Sequence, residues 1–188
     1  MNAPVVKYCS SCGSEVRLCI PAGDNRERHV CTQCATIHYH NPRIITGCLP
    51  VYGDQVLMCR RAIEPRLGFW TLPAGFLELG ESVAEGAARE TLEEAGAAVQ
   101  MGELFCMFNL PHIGQVYMMY LAQLSDPADA SALFAASTEE SLEIKLFNEA
   151  DIPWQELAFR TMWRTLHHYF ADRKRGAFSL HVEDIGPL

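Results

Sequence analysis

Three glutamates crowd together in the segment at 75–96, which reads GFLELGESVAEGAARETLEEAG. If this segment is helical, Glu93 and Glu94 lie about 60° and 40° from Glu90 around the helix axis, so all three share one face. Like charges three or four residues apart destabilise a helix by roughly 0.2–0.5 kcal/mol per pair. The crowding indicates either an ordinary solvated acidic face or a site whose carboxylates bind a hard divalent cation such as Mg²⁺ or Mn²⁺.

The ends of this helix are also marked in the sequence. Ser82 followed three residues later by Glu85 is the pattern of a capping box. Gly96 supplies a residue that can take the left-handed conformation at which helices stop. Small residues and one leucine between these ends predict a face for close packing: Ala84, Ala87, Ala88, Thr91, Leu92 and Ala95.

The first 40 residues have a different character, with two CxxC pairs separated by polar, turn-rich sequence. The cysteines follow the spacing C-x2-C-x18-C-x2-C: Cys9, Cys12, Cys31 and Cys34. Four thiolates complete a tetrahedral zinc shell and leave no position for water, so this spacing predicts a structural Zn²⁺ site. Disulfides or a redox CxxC are the alternatives. We therefore expect a zinc ribbon at 1–40 and a second domain at 41–188.

Composition limits the remaining classes. The chain has 188 residues, 49% of them hydrophobic, and a formal net charge of −8. This charge argues against a general nucleic-acid surface, although it does not exclude anionic small substrates held through a metal. There is no run of 18 uncharged apolar residues and no basic start followed by an apolar stretch, so we expect no membrane span or secretory signal. A cytoplasmic protein is expected.

Apolar periodicity and turn residues predict the other elements. We expect a hairpin over 44–60, strands at 98–108, 115–124 and 143–147, a loop or short helix at 126–137, a second helix at 154–173, and a short strand at 177–182.

The segment at 75–96 resembles the Nudix box: Gly, five residues, Glu, seven residues, Arg-Glu, an aliphatic residue, any residue, Glu-Glu, any residue, Gly. Gly75, Glu81, Arg89 and the three glutamates occupy its specified positions, and Thr91 is a mild departure at the aliphatic position. The resemblance implies an α/β fold, the Nudix α/β/α sandwich with a mixed sheet, preceded here by a small zinc ribbon.

The resemblance also implies a metal-dependent hydrolase that cleaves nucleoside diphosphate derivatives at the pyrophosphate. It makes Glu90 and Glu94 the strongest Mg²⁺ or Mn²⁺ ligands, Glu93 a ligand or a neighbour that activates water, and Arg89 the residue that orients them. The carbonyl of Ala74 is a further ligand by resemblance. Nudix enzymes often add a glutamate from a later loop, where Glu139, Glu140 and Glu143 are candidates and Glu140 is favoured by its distance from Leu146-Phe147.

Beyond the box, HYHNPRIITGCL and LMCRRAIEPRLGFWTLPAGFLELGES resemble the group of the plant chloroplast-type FAD and ADP-ribose pyrophosphatases. This resemblance implies FAD or ADP-ribose as substrate, with AMP released. Zinc-ribbon NADH pyrophosphatases are the alternative, including removal of NAD caps from RNA. They carry SQPWPFP after the box, whereas this chain has AAVQMGELFCMFNLPHIG. A non-catalytic nucleotide-binding or nucleic-acid-binding module is a further alternative, disfavoured by the intact glutamates.

A dinucleotide substrate needs aromatic surfaces and cations near its phosphates. The candidate substrate-binding residues lie near the box or after the cysteine module: Trp70, Arg60, Arg61, Arg66 and Tyr39. Each aromatic residue has core packing as its alternative role, and each arginine has plain solvent exposure. The expected partner is a small-molecule dinucleotide. By resemblance, a homodimer is also expected.

Overall fold

The structure, a computed structural model, describes residues 6–125 and 134–187. Most of the loop or short helix expected at 126–137 lies outside these residues. The chain divides into two compact units, Met1–Pro42 and Arg43–Leu188.

The N-terminal unit is a three-stranded antiparallel sheet in the order β1-β2-β3. Its strands are β1 (Val16–Cys19), β2 (Arg28–Cys31) and β3 (Ile37–His38). The first CxxC pair precedes β1, and the second lies in the turn that joins β2 to β3. Because a sheet this small buries little apolar surface, the cysteine cluster has to supply much of its stability.

The second unit is built on a mixed sheet of eight strands. Its strands are β4 (Arg43–Tyr52), β5 (Gln55–Arg61), β6 (Trp70–Thr71), β7 (Ala74–Phe76), β8 (Val99–Leu110), β9 (Gln115–Leu124), β10 (Ser141–Phe147) and β11 (His181–Asp184). The main order is β10-β5-β4-β9-β8-β11, with β6 on β5 and β7 on β4. Pairing is parallel between β4 and β9 and between β8 and β11, and antiparallel elsewhere. The predicted hairpin and mixed sheet are confirmed.

Helix α1 (Val83–Ala95) begins and ends as the sequence predicts. Ser82 and Glu85 form the capping box, and Gly96 has a φ of 59° at the C-terminus. The helix packs on one face of the sheet, where the Thr46 hydroxyl donates to the carbonyl of Val83 at 2.7 Å. The expectation for Leu92 was wrong: it is 57% exposed, because the helix turns its glutamates rather than Leu92 toward the protein.

Helix α2 (Arg160–Arg175) covers the opposite face of the sheet. Its side chains Met162, Leu166, Tyr169 and Phe170 join the main core with Leu49 and Val51 of β4. Residues 46 and 49 of β4 thus face different helices, which produces the α/β/α layering. None of the helices within the described residues is long and apolar enough to span a bilayer.

Two boundaries differ from the prediction by more than two residues. Helix α2 begins at Arg160 rather than 154, because residues 157–158 pair with Trp70 instead of continuing a helix. Residues 154–156 form a separate 3₁₀ turn. The last strand begins at His181 rather than 177, since the side chain of Asp172 binds the N–H of Ser179 and holds the preceding turn. Both differences come from tertiary hydrogen bonds that local periodicity does not report.

Candidate active site

The guanidinium of Arg89 organises the acidic face of α1. It makes two hydrogen bonds to the carboxylate of Glu81, at 2.9 and 2.8 Å. Its Nη1 donates to Glu90 at 2.8 Å and to Glu93 at 2.9 Å. The bond with Glu81 lowers the pKa of that carboxyl to about 2, so Glu81 remains ionised. One cation therefore joins three carboxylates and fixes their directions.

Glu90 and Glu94 turn inward from the same helix face and are 9% and 6% exposed. Burial raises the pKa of Glu94 to about 8, and the charges of Glu90 and Glu140 act in the same direction. Burial also raises the pKa of Glu90, against the opposing effect of Arg89. Two buried carboxylates that repel each other form a site whose charge a bound cation would compensate.

Two glycines make room for this arrangement. A Cβ at Gly75 would lie 2.2 Å from the Oε2 of Glu90, so the glutamate occupies the space of the missing side chain. A Cβ at Gly47 would lie 2.4 Å from the Cβ of Ala74, its partner in the antiparallel pairing of β4 with β7. Gly47 belongs to no sequence motif, although a glycine inside a strand pattern indicates such a close approach.

Ala74 lies beside the buried carboxylate of Glu94, and its predicted role as a carbonyl ligand stays a prediction. Its N–H donates to the Oε2 of Glu94 at 3.2 Å. The adjoining Pro73 carbonyl accepts from the N–H of Cys48 at 3.1 Å, which ties this loop to β4. The backbone of residues 73–75 is thus held against the acidic face of α1.

Of the three later glutamates, Glu140 is the one whose charge acts on Glu90 and Glu94. Its charge raises the pKa of both Glu90 and Glu94. Glu143 instead pairs with Arg60 at 3.8 Å. Thr138, which the sequence analysis did not consider, holds this loop to α1 because its hydroxyl donates to the carbonyl of Glu94 at 3.1 Å.

The donor set of this site suits a divalent metal. Glu90, Glu94 and Glu140 supply carboxylate oxygens, and Glu93 adds a carboxylate that is 58% exposed beside them. Hard cations such as Mg²⁺ and Mn²⁺ prefer such oxygen ligands. The fit rests on the placement of these side chains: the carboxylates of Glu90 and Glu94 are buried against the backbone of residues 74–75, and this burial raises the pKa of both.

The predicted arginines separate into different environments. Arg61, at the end of β5, has its guanidinium 5.2 Å from the ring centre of Phe159, and its charge reaches Glu94. Arg60 donates to the carbonyl of Gly68 at 3.0 Å in addition to its ion pair. Arg66 lies exposed over Phe69 at 5.4 Å. Of the three, Arg61 is the one that the structure brings to the carboxylates.

The two aromatic candidates lie in different surroundings. Trp70 is 6% exposed and packs edge-to-face on Phe147 in the main core, so its ring is not free to stack on a substrate. Tyr39 is 60% exposed in the N-terminal unit, where the guanidinium of Arg28 lies over its ring. Core packing was the alternative for Trp70, and the structure supports it.

The four cysteines of the N-terminal unit converge as the spacing predicts. Their sulfur atoms all lie within 4.8 Å of one another, with three pairs between 3.4 and 3.7 Å. A tetrahedron with zinc–sulfur bonds of about 2.3 Å has sulfurs about 3.8 Å apart, so the cluster fits zinc. Each CxxC turn ends in a left-handed residue, Gly13 or Ala35.

Comparison with known families identifies both parts of the chain. Residues 7–40 match the zinc-ribbon family described as Nudix N-terminal, and residues 41–172 match the NUDIX domain. Among curated relatives, NAD-capped RNA hydrolase NudC of Vibrio atlanticus (strain LGP32) is 33% identical over 95 residues, 50% of this chain and 33% of that protein. The enzyme of the same name from Pseudomonas aeruginosa (strain LESB58) is 33% identical over 112 residues, 57% of this chain and 34% of that protein. The chain therefore spans about a third of the length of these curated relatives.

Solved structures agree on the fold. A NUDIX hydrolase from Nitrosomonas europaea has a TM-score of 0.90 and 48% identity, covering 97% of this chain and 100% of that one. An ADP-ribose pyrophosphatase from Streptococcus suis 89-1591 has a TM-score of 0.57 at 18% identity, covering 76% of this chain and 99% of that one. The second likeness concerns the fold alone.

Proposed function

This chain belongs to the Nudix hydrolase family, and from that premise we propose that it hydrolyses the pyrophosphate bond of an ADP-linked dinucleotide with Mg²⁺ or Mn²⁺. The observation that carries the proposal is that the buried carboxylates of Glu90 and Glu94 lie against the backbone of residues 74–75. Such a set of oxygen ligands serves metal-assisted hydrolysis.

The chain's own residues divide the work. In this proposal Glu90, Glu94 and Glu140, with the carbonyl of Ala74, hold the cation, which neutralises the pyrophosphate and lowers the pKa of a bound water. Glu93 is exposed enough to accept a proton from that water or to serve as another ligand. Arg89 keeps the carboxylates in place through its hydrogen bonds and is not itself expected to contact the substrate.

We propose FAD or ADP-ribose as the preferred substrate, giving AMP with FMN or with ribose 5-phosphate. The support comes from the segments around the Nudix box and from the absence of SQPWPFP after it. Dimerisation and a cytoplasmic location remain predictions from the sequence.

NADH, or the NAD cap of RNA, is the second candidate. The observation in its favour is that the curated relatives reported above are NAD-capped RNA hydrolases that share the Nudix region with this chain. Because this chain spans only about a third of those proteins, their activity does not carry over without a direct test.

The deciding experiment is product chromatography after incubating the pure protein, with Mg²⁺ or Mn²⁺, with equal amounts of FAD, ADP-ribose, NADH and a short NAD-capped RNA. Faster release of AMP from FAD or ADP-ribose would support the proposal. Faster cleavage of NADH or of the capped RNA would move the chain to the second candidate. E94Q serves as the control for contaminating hydrolases and should release no AMP above background.

A further inference from the structure

Arg61 is a half-buried cation at the end of β5. Among residues 6–125 and 134–187, no Asp or Glu side chain lies within ion-pair distance of its guanidinium, whereas the adjacent Arg60 pairs with Glu143. The Nε of Arg61 donates to the carbonyl of Pro65 at 2.8 Å. This bond fixes the Nε end of the guanidinium and uses none of the four N–H groups on its two terminal nitrogens.

Phe159 holds the other end of this side chain. The guanidinium carbon lies 5.2 Å from the ring centre of Phe159, within the range of a cation–π contact. Phe159 has extended backbone angles immediately before α2, and the preceding Ala158 donates its N–H to the carbonyl of Trp70 at 2.8 Å. The ring that holds Arg61 is therefore itself fixed by the buried strand β6.

Arg61 lies at the strand end that pairs with Ser141, next to Glu140. Its positive charge reaches both Glu94 and the Tyr117 hydroxyl, which lies on the sheet face that packs against α2. The N–H of Ala62, next to Arg61, donates to the carbonyl of Glu140 at 2.8 Å. Arg61 and the proposed metal ligand Glu140 are thus carried by the same pair of strand ends.

A guanidinium packed with one face on an aromatic ring keeps its N–H edge free in the plane, which is the geometry that binds phosphate oxygens. Here that edge has no acidic partner and lies near a site that the proposed function fills with a pyrophosphate. An anion bound between Arg61 and metal-loaded carboxylates would receive opposite charge from both sides.

We propose that Phe159 is a positioning residue that holds Arg61 for binding a substrate phosphate, so that the Arg61–Phe159 pair sets the affinity for the diphosphate. The inference rests on the proposed function and deepens it by naming the protein cation of the phosphate subsite. The subsite is specific for the diphosphate and not for the group attached to it.

The test measures both ADP affinity with Mg²⁺ by calorimetry and steady-state kinetics on the substrate with the fastest turnover. R61A should weaken ADP binding and raise KM about 10–100-fold, as expected for loss of a charge-assisted contact. F159L should raise the Kd for ADP and the KM about 3–10-fold each, and it should change kcat less than KM. F159W and F159Y keep an aromatic face and should stay within about twofold of wild type.

Two comparisons separate positioning from general damage. In the R61A background, F159L should have no further effect on ADP affinity, because the residue it positions is gone. The guanidinium of Arg160, the residue after Phe159, donates to the carbonyl of Gly186. R160A removes this neighbouring cation and should leave ADP affinity unchanged.

An equal loss from F159L in both backgrounds, or no rescue by the aromatic variants, would overturn the positioning role. Failure of wild-type protein to bind ADP at millimolar concentration would overturn the phosphate role of Arg61. Wild-type protein that binds ADP with this dependence on Arg61 and Phe159, yet cleaves no dinucleotide, would overturn the proposed function alone.

Discussion

The burial of Glu94 predicts that ionisation of this carboxyl lowers the free energy of unfolding of the metal-free protein. Its pKa of about 8 lies well above the ordinary value of 4.5. For a carboxyl with a raised folded pKa, the folded state binds the proton more tightly, so the stability it contributes is present at low pH. That stability is lost as the pH rises from about 4.5 to about 8.

The size of the effect follows from these two values. At pH 8 the ionisation of Glu94 destabilises the metal-free protein by on the order of 4 kcal/mol, since each pKa unit corresponds to about 1.4 kcal/mol. Glu94→Gln removes the charge but keeps an oxygen that can accept from the N–H of Ala74. We expect metal-free E94Q to melt about 8 °C or more above metal-free wild type at pH 8.

The assay is thermal unfolding by circular dichroism between pH 5 and pH 8, after chelation of the catalytic metal under conditions that retain zinc. The difference between wild type and E94Q should be small at pH 5 and grow with pH. Millimolar Mg²⁺ should stabilise wild type more than E94Q, and turnover of E94Q should be close to background. E139Q, which neutralises an exposed glutamate, is the matched control and should leave the melting temperature nearly unchanged.

The reasoning would be refuted by metal-free E94Q melting at or below wild type at pH 8. Turnover of E94Q near the wild-type rate would separately refute the role of Glu94 as a metal ligand.

Three other perturbations follow from the structure. Gly75→Ala should lower kcat more than 10-fold while shifting the melting temperature little. The new Cβ would lie 2.2 Å from the present position of the Glu90 Oε2 and would displace that carboxylate. Kinetics and melting curves on the same sample check this. Cys31→Ser should remove zinc and unfold the N-terminal unit, since three sulfurs hold zinc less tightly, and metal analysis with limited proteolysis would detect both; full zinc occupancy would contradict it. Acidification from pH 7.5 to 5.5 should lower the protection factors of β11, measured as exchange rates corrected for the intrinsic rate at each pH. Burial lowers the pKa of His168, so the stability that its neutral form contributes is lost as the pH falls below about 6.5, and H168Q should remove most of the change.

Much of the fold was readable in the sequence because its signals are local. The capping box at Ser82, the stop at Gly96 and the hairpin turn before Gln55 depend on residues within a few positions of each other, and all three are confirmed. The CxxC spacing is equally local, since each turn presents its two sulfurs without help from the rest of the chain.

The sequence was less informative where distant strands decide the outcome. The start of α2 moved to Arg160 because residues 157–158 hydrogen-bond with Trp70. The same contact buries Trp70, which from its loop position alone looked available for stacking. Neither result leaves a trace in periodicity, because both depend on a pairing between segments nearly ninety residues apart in sequence.

By itself, the sequence identified the family, the three glutamates that share one face of helix α1 and the cysteine cluster, because fixed spacings on a helix or a tight turn place those side chains whatever surrounds them. Only the tertiary structure decided which distant groups meet them. The charge of Glu140 acts on Glu94, whereas Glu143 pairs with Arg60, and Arg61 lies on the ring of Phe159 with no ion pair among the residues that the structure describes. The physical reason is that burial, and with it the pKa of Glu94 and the availability of Arg61, is set by strand pairing across the sheet rather than by neighbours along the chain.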